Sequence, residues 1–225
     1  AASGLVACQG SDLIIAGLGG LFVGCALSEK LCIPFVQAYL YPFTPTCEFA
    51  SVLMPFPKVR LPSWANSISH RLTQQMMWQT FRAADNKARD QVLQIPSGSF
   101  WGPFASLQHQ KQPILCGYSP QVIPFPQDWD NFIHVTGYWF LEPPAGWVPP
   151  IDLINFLQSG PPPIYIGFGS MVNKQPEEIA DLVLKALTRT GMRGVLSEGW
   201  GGLRKGELPE TVFMIGSIPH SWLFS

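Results

Sequence analysis

Pro163-Ile164-Tyr165-Ile166-Gly167-Phe168-Gly169-Ser170 is the stretch on which the reading of this chain turns. An apolar run fit for a buried strand ends in Gly-x-Gly-Ser, and a helix is expected to open near Pro176. Glycines let the backbone approach a ligand, a hydroxyl adds a donor, and a helix N-terminus presents free N–H groups. Together these make an anion site and point to a phosphate-bearing ligand. A strand-to-helix turn that merely needs small residues would look the same. The stretch fails as a dinucleotide fingerprint, because the third glycine position is Val172. It fails as a nucleophile elbow, since Phe168 and Val172 stand where glycines should flank Ser170.

The residues that follow support a layered sheet. Glu177, Glu178 and Asp181 fall in the first turns of the expected helix. Ile179, Leu182, Val183, Ala186 and Leu187 make one apolar face, and Gly191 can close it. Gly194–Ser197 and Val212–Ile215 read as the next strands, so 163–225 is half of a doubly wound sheet. The loops after these strands, Ser197-Glu198-Gly199-Trp200 and Ser217-Ile218-Pro219-His220, leave on the side where open α/β sheets bind ligands.

Upstream, Asp12–Gly17, Leu21–Leu31 and Ile33–Leu40 read as strand, helix and strand, a βαβ unit. Residues 41–63 form a proline-punctuated loop carrying Phe43, Phe49, Met54 and Phe56. It either packs on its own domain or walls an apolar pocket. Ser63 can cap a helix running to about Leu93, on which Trp64, Ile68, Leu72, Met76, Phe81, Ala84, Ala88 and Val92 make an apolar stripe. The Met76-Met77-Trp78 cluster on it is expected in the core. Ile114–Ser119 and His134–Phe140 are two further short strands. Glu142–Pro163 is rich in proline and holds one helix candidate, Ile151–Leu157, so it reads as a semi-rigid linker. The organisation expected is therefore 1–141, the later part of one domain; 142–162, a linker; and 163–225, the first part of a second.

Composition narrows the function. The 225 residues are 47% hydrophobic and 13% charged, which excludes a disordered chain. A formal charge of −1 without a run of Lys or Arg argues against nucleic acid as a main partner. Cys8, Cys25, Cys32, Cys47 and Cys116 lack metal-ligand spacing and are expected to be buried free thiols, with no metal site. The apolar run Leu13–Leu27 is interrupted by glycines and falls short of the roughly 20 residues of a membrane span. A cytoplasmic protein with at most peripheral membrane contact is expected. Without an initiator Met, and with the last strand pattern uncompleted, the chain is expected to be a piece of a longer protein.

The series PPPIYIGFGSM, VLSEGWGGL and IGSIPHSWLF resembles the donor domain of sterol 3-β-glucosyltransferases and related family-one glycosyltransferases. The likeness is specific over about 160–225, while 1–140 fits only in general character as acceptor-binding domain. It implies the GT-B type of α/β fold, two Rossmann-like domains with parallel sheets, both incomplete here. It implies transfer of a hexose, glucose above all, from a UDP-sugar to a hydroxyl of a lipophilic acceptor such as a sterol, with inversion and without a further cofactor. Ser217, Ile218, Pro219 and His220 would lie at the nucleobase, Gly169 and Ser170 near the diphosphate or sugar, and Trp200 by the ribose or the hinge. Phe43, Phe49, Met54 and Phe56 would line the acceptor pocket. The family's N-terminal catalytic histidine and its His-His-Gly-Gly-x-Gly-Thr clamp are not in this chain. His70 on a helix surface, His109 in a polar loop and His134 at a strand start are not expected to replace the base. A non-catalytic nucleotide-sugar-binding module and an NAD-type oxidoreductase are the alternatives. This segment alone is expected to show no transferase activity; assayed with UDP-glucose and a sterol, it should leave the donor unconsumed.

Overall fold

In the computed structural model, residues 1–54, 61–169, 175–197 and 208–224 are described. They form two compact units, Ala1–Trp139 and Phe140–Ser225. Each holds a sheet whose described strands run parallel, the α/β class the sequence implies.

The first unit runs α1 (Ala2–Cys8), β1 (Ile14–Ala16), a 3-10 turn (Leu18–Gly20), α2 (Leu21–Leu31) and β2 (Phe35–Tyr39). It continues through α3 (Ser63–Ala88), a π-helical turn (Arg89–Leu93), α4 (Phe104–His109), β3 (Ile114–Cys116) and β4 (Ile133–Val135). The sheet order is β1-β2-β3-β4, with Gln37 opposite Ile114 and Ile114 opposite Ile133. Leu21, Phe35, Trp78 and Leu93 are almost wholly buried at its centre. Phe22 lies 5.1 Å from the Trp78 ring, so α2 and α3 meet through aromatic contact.

Helix α3 departs from the sequence expectation. Its apolar stripe faces outward: Trp64, Ile68, Leu72, Met76, Phe81 and Val92 are all exposed. The buried face carries Asn66, Ser69, His70, Thr73, Trp78 and Asp85 instead. Met76 is therefore not core, and His70 is not a surface histidine, being only 1% exposed. Pro62 occupies the cap position expected for Ser63. The loop entering the helix explains the inversion. Residues 43–51 belong to no strand, and their backbone groups need partners. Asn66 donates to the Cys47 carbonyl at 3.0 Å, the Ser51 amide donates to Ser69 Oγ at 2.8 Å, and His70 Nε2 pairs with the Phe49 carbonyl at 3.0 Å. Thr73 donates to Ser51 Oγ at 2.8 Å. The polar face turns inward because the loop requires it.

The thiols also differ in part from expectation. All five are free, but only Cys116 is buried, while Cys32 and Cys47 are exposed.

The second unit contains α5 (Ile151–Gln158), β5 (Ile164–Ile166), α6 (Pro176–Thr190), β6 (Gly194–Ser197), β7 (Val212–Ile215) and α7 (His220–Leu223). The sheet order is β5-β6-β7. Strand alternation sorts side chains cleanly to two faces. Ile166, Leu196, Val212 and Met214 pack with Leu187 of α6, whereas Tyr165, Val195, Phe213 and Ile215 pack with Leu153 of α5. The proline-rich segment 142–162 thus supplies this unit with a helix whose Leu153 is fully buried. Arg193 fastens the turn after α5: it donates to the carbonyls of Pro161 and Phe156, and its guanidinium sits 4.1 Å from the Phe156 ring centroid.

In the first unit Arg89 donates to Asp85 Oδ2 at 2.8 Å and to Glu29 Oε2 at 2.7 Å, joining the end of α3 to α2. Burial pushes the Asp85 carboxyl above its usual range even beside this guanidinium. Arg89→Ala should destabilise the protein by about 3–5 kcal/mol, because a buried carboxylate loses its partner. Urea unfolding of the variant measures this.

Candidate functional site

The carboxyl edge of β5-β6-β7 gathers most of the described donor-side residues. Gly169 is exposed, with φ 58° and no heavy atom within 4 Å of where a Cβ would stand, so the left-handed backbone alone calls for glycine there. Gly167 has another reason. A Cβ on it would lie 2.5 Å from the Tyr165 hydroxyl. Ser217 and His220 are exposed, while Ile218 is half-buried against the α5-side core. Trp222 is half-buried, with its ring edge-on to Trp147 at 5.3 Å, and so packs beneath the loop. Ser170, Glu198 and Trp200 lie outside the described residues.

Across this edge, Tyr165 and His220 touch. Tyr165 Oη lies 3.3 Å from His220 Nε2, with ring centroids 5.7 Å apart. Phe224 completes the cluster, 5.0 Å from the Tyr165 ring and 5.3 Å from the imidazole. Strand β5 is thereby tied to α7, which follows β7, although β6 separates β5 from β7 in the sheet. Sequence reasoning passed over Tyr165 as one member of an apolar strand. The signal available was a hydroxyl-bearing ring two residues before a glycine on the same strand line.

The α6 N-terminus is a poorer anion site than the sequence suggests. Glu177 and Glu178 occupy its first turn and are exposed, so an anion would meet like charge there.

The first unit carries an open cavity of about 720 Å³ lined by β2, β3 and β4 residues, α4 and the outer face of α3. Phe43, Ile68, Leu72, Trp101, Phe104 and Trp129 supply apolar wall, with Gln37, Arg71 and Asp128 as polar groups. Tyr39 donates to Gln37 Oε1 at 2.8 Å, leaving the Gln37 amide hydrogens for a guest. Phe43 is both core and wall. Phe49 packs on His70 at 5.9 Å and Met54 is half-buried; neither lines the cavity, and Phe56 lies outside the described residues. The exposed stripe on α3, Ile68 and Leu72 in particular, shares the lining with Phe43 of the loop.

Asp128 holds the cavity wall to the proline-rich loop. It accepts from Thr46 Oγ1 and from the Cys47 amide, both at 2.6 Å. Burial opposes ionisation of Asp128, but these hydrogen bonds outweigh it and hold the carboxyl below its usual range. Among the described residues no group of three metal-ligating side chains forms. None of their helices is long and apolar enough to cross a membrane.

Two parallel-sheet units, one with an open carboxyl edge and one with an apolar cavity, define a two-part α/β protein. Comparison with known proteins narrows this further: over most of its length the chain is a homologue of the sterol 3-beta-glucosyltransferases. It is 33% identical over 242 residues to the sterol 3-beta-glucosyltransferase of Cryptococcus neoformans var. neoformans serotype D, covering 97% of this chain and 15% of that protein. It is 35% identical over 204 residues to sterol 3-beta-glucosyltransferase UGT80B1 of Arabidopsis thaliana, covering 88% of this chain and 32% of that protein. The chain therefore spans less than a third of these relatives. No family model matches. Among solved structures, CalG4, the calicheamicin glycosyltransferase, aligns over 95% of this chain and 49% of its own at 16% identity, with a TM-score of 0.44, too low to bear on the fold.

Asp128→Asn should lower stability at neutral pH by about 1 kcal/mol, a charged hydrogen bond discounted for its exposed position. A carboxyl whose folded pKa is depressed stabilises above its unfolded value of ~3.9 and loses that contribution as pH falls through the folded value. The gap between wild type and variant melting temperatures should accordingly close below about pH 4.

Proposed function

We propose that this chain is the segment of a UDP-sugar-dependent hexosyltransferase that carries the later acceptor-binding domain and the start of the donor-binding domain. The overall architecture would be of the GT-B type. The reaction would pass a hexose, glucose first, from UDP to the hydroxyl of a lipophilic acceptor, a sterol above others, with inversion. The observation that carries this reading is the homology to sterol 3-beta-glucosyltransferases over 88–97% of the chain.

In this reading each part has a role. Backbone groups at Ser217–Pro219 and the His220 imidazole would hold the pyrimidine. Gly169, with Ser170, would accept the diphosphate at the loop after β5. An apolar cavity of about 720 Å³ is large enough for a drug-sized or steroid guest. Its polar groups, Gln37 among them, would orient the acceptor. Inversion requires a base that removes the acceptor proton as its oxygen attacks the anomeric carbon and UDP departs. His70 is sealed under the Phe49 carbonyl, while His109 and His134 are exposed outside the cavity lining, so the base is assigned to the part of the protein upstream. The transfer needs no cofactor beyond the donor. The enzyme would meet lipid peripherally, from the cytoplasmic side.

Thermal-shift titration of the full-length protein tests this. UDP-glucose should raise the melting temperature and NAD should not; stabilisation by NAD and not by any UDP-sugar overturns the proposal. His220→Ala should weaken UDP-glucose binding roughly tenfold at unchanged melting temperature without ligand.

A further inference from the structure

We infer that Tyr165 is a positioning residue for the donor site, acting through His220; the inference rests on the donor reading above. His220 is exposed on a helix of only four residues, where nothing in the local backbone dictates which imidazole nitrogen carries the proton. A neutral imidazole offers one donor and one acceptor, and the tautomer decides which edge is which. A tyrosine hydroxyl can donate or accept, and 3.3 Å from Nε2 it engages that nitrogen in either tautomer. Nδ1 is thereby the nitrogen left for the ligand, and with the proton there Nδ1–H donates to an acceptor group such as a pyrimidine carbonyl. Phe224 at 5.3 Å and the Tyr165 ring at 5.7 Å then frame the imidazole and restrict its rotation.

The glycine pattern fits this role. Gly167 is the first glycine of Gly-x-Gly-Ser, and a Cβ there would stand 2.5 Å from the Tyr165 hydroxyl and 2.9 Å from its Cζ. A contact that close displaces either the ring or the backbone. Gly167 therefore serves the tyrosine, and only Gly169 serves the turn. The motif spends its first glycine on passing a hydroxyl from the end of β5 toward the loop after β7.

The test is a double-mutant cycle in the full-length protein, with initial rates against UDP-glucose. Tyr165→Phe keeps the ring and removes only the hydroxyl. It should raise KM for UDP-glucose roughly three- to tenfold, with a smaller change in kcat, as loss of one hydrogen bond to a binding group does. In a His220→Ala background Tyr165→Phe should add almost nothing, because the two act as one unit. Gly167→Ala should raise KM in the same direction and likewise lose its effect once His220 is gone. If His220→Ala raises KM while Tyr165→Phe leaves it unchanged, the positioning role is wrong and the donor reading survives. Additive effects of Tyr165→Phe and His220→Ala also reject the positioning role. If His220→Ala leaves KM unchanged, the donor reading of His220 fails, and the role of Tyr165 with it.

Discussion

Backbone amides and carbonyls that belong to no helix or strand must find partners when buried. In the first unit the segment entering α3 is such a backbone, broken by prolines at 42 and 45 and unable to join the sheet. Helix α3 supplies the missing partners from its polar face: Asn66, Ser69, His70 and Thr73 all bond to the 47–51 segment or to one another beneath it. The cost is that the apolar face of the helix cannot also be inside. An amphipathic helix has one choice of orientation, and here several hydrogen bonds to otherwise orphaned groups outweigh the burial of a hydrophobic stripe.

The cavity follows from that choice. Turning Ile68 and Leu72 outward places them in the same cavity lining as Phe104 and Trp129, so part of the wall is made by residues that a soluble helix would ordinarily hide. Asp128 then ties the far wall to the loop through Thr46 and Cys47. The loop, the helix and the cavity are one construction, since the face of α3 that bonds to the loop fixes which face is left to line the space.

The second unit solves a different problem with shorter means. Three parallel strands need both faces covered, and strand alternation hands Leu187 one face and Leu153 the other. Tyr165 belongs to the α5 face, yet its hydroxyl reaches beyond the sheet to His220. One side chain thus serves the core with its ring and the candidate site with its tip, the division of labour that makes tyrosine common at half-buried positions.

Much of this was legible in the sequence. Helix α2 at Leu21–Leu31, strand β6 at Gly194–Ser197, strand β7 at Val212–Ile215 and the Gly191 closure of α6 follow from periodicity and local backbone preference, which act over a few residues. The α/β class and the resemblance of the 160–225 motifs to sterol glucosyltransferases come from the same short-range information. What only the tertiary structure decided depends on partners far along the chain. His70 is inside because Phe49 needs a donor, 21 residues away. Tyr165 meets His220 across 55 residues and an intervening strand. A period of 3.6 tells which residues share a face, but whether that face turns in or out is settled by the unpaired groups it must satisfy.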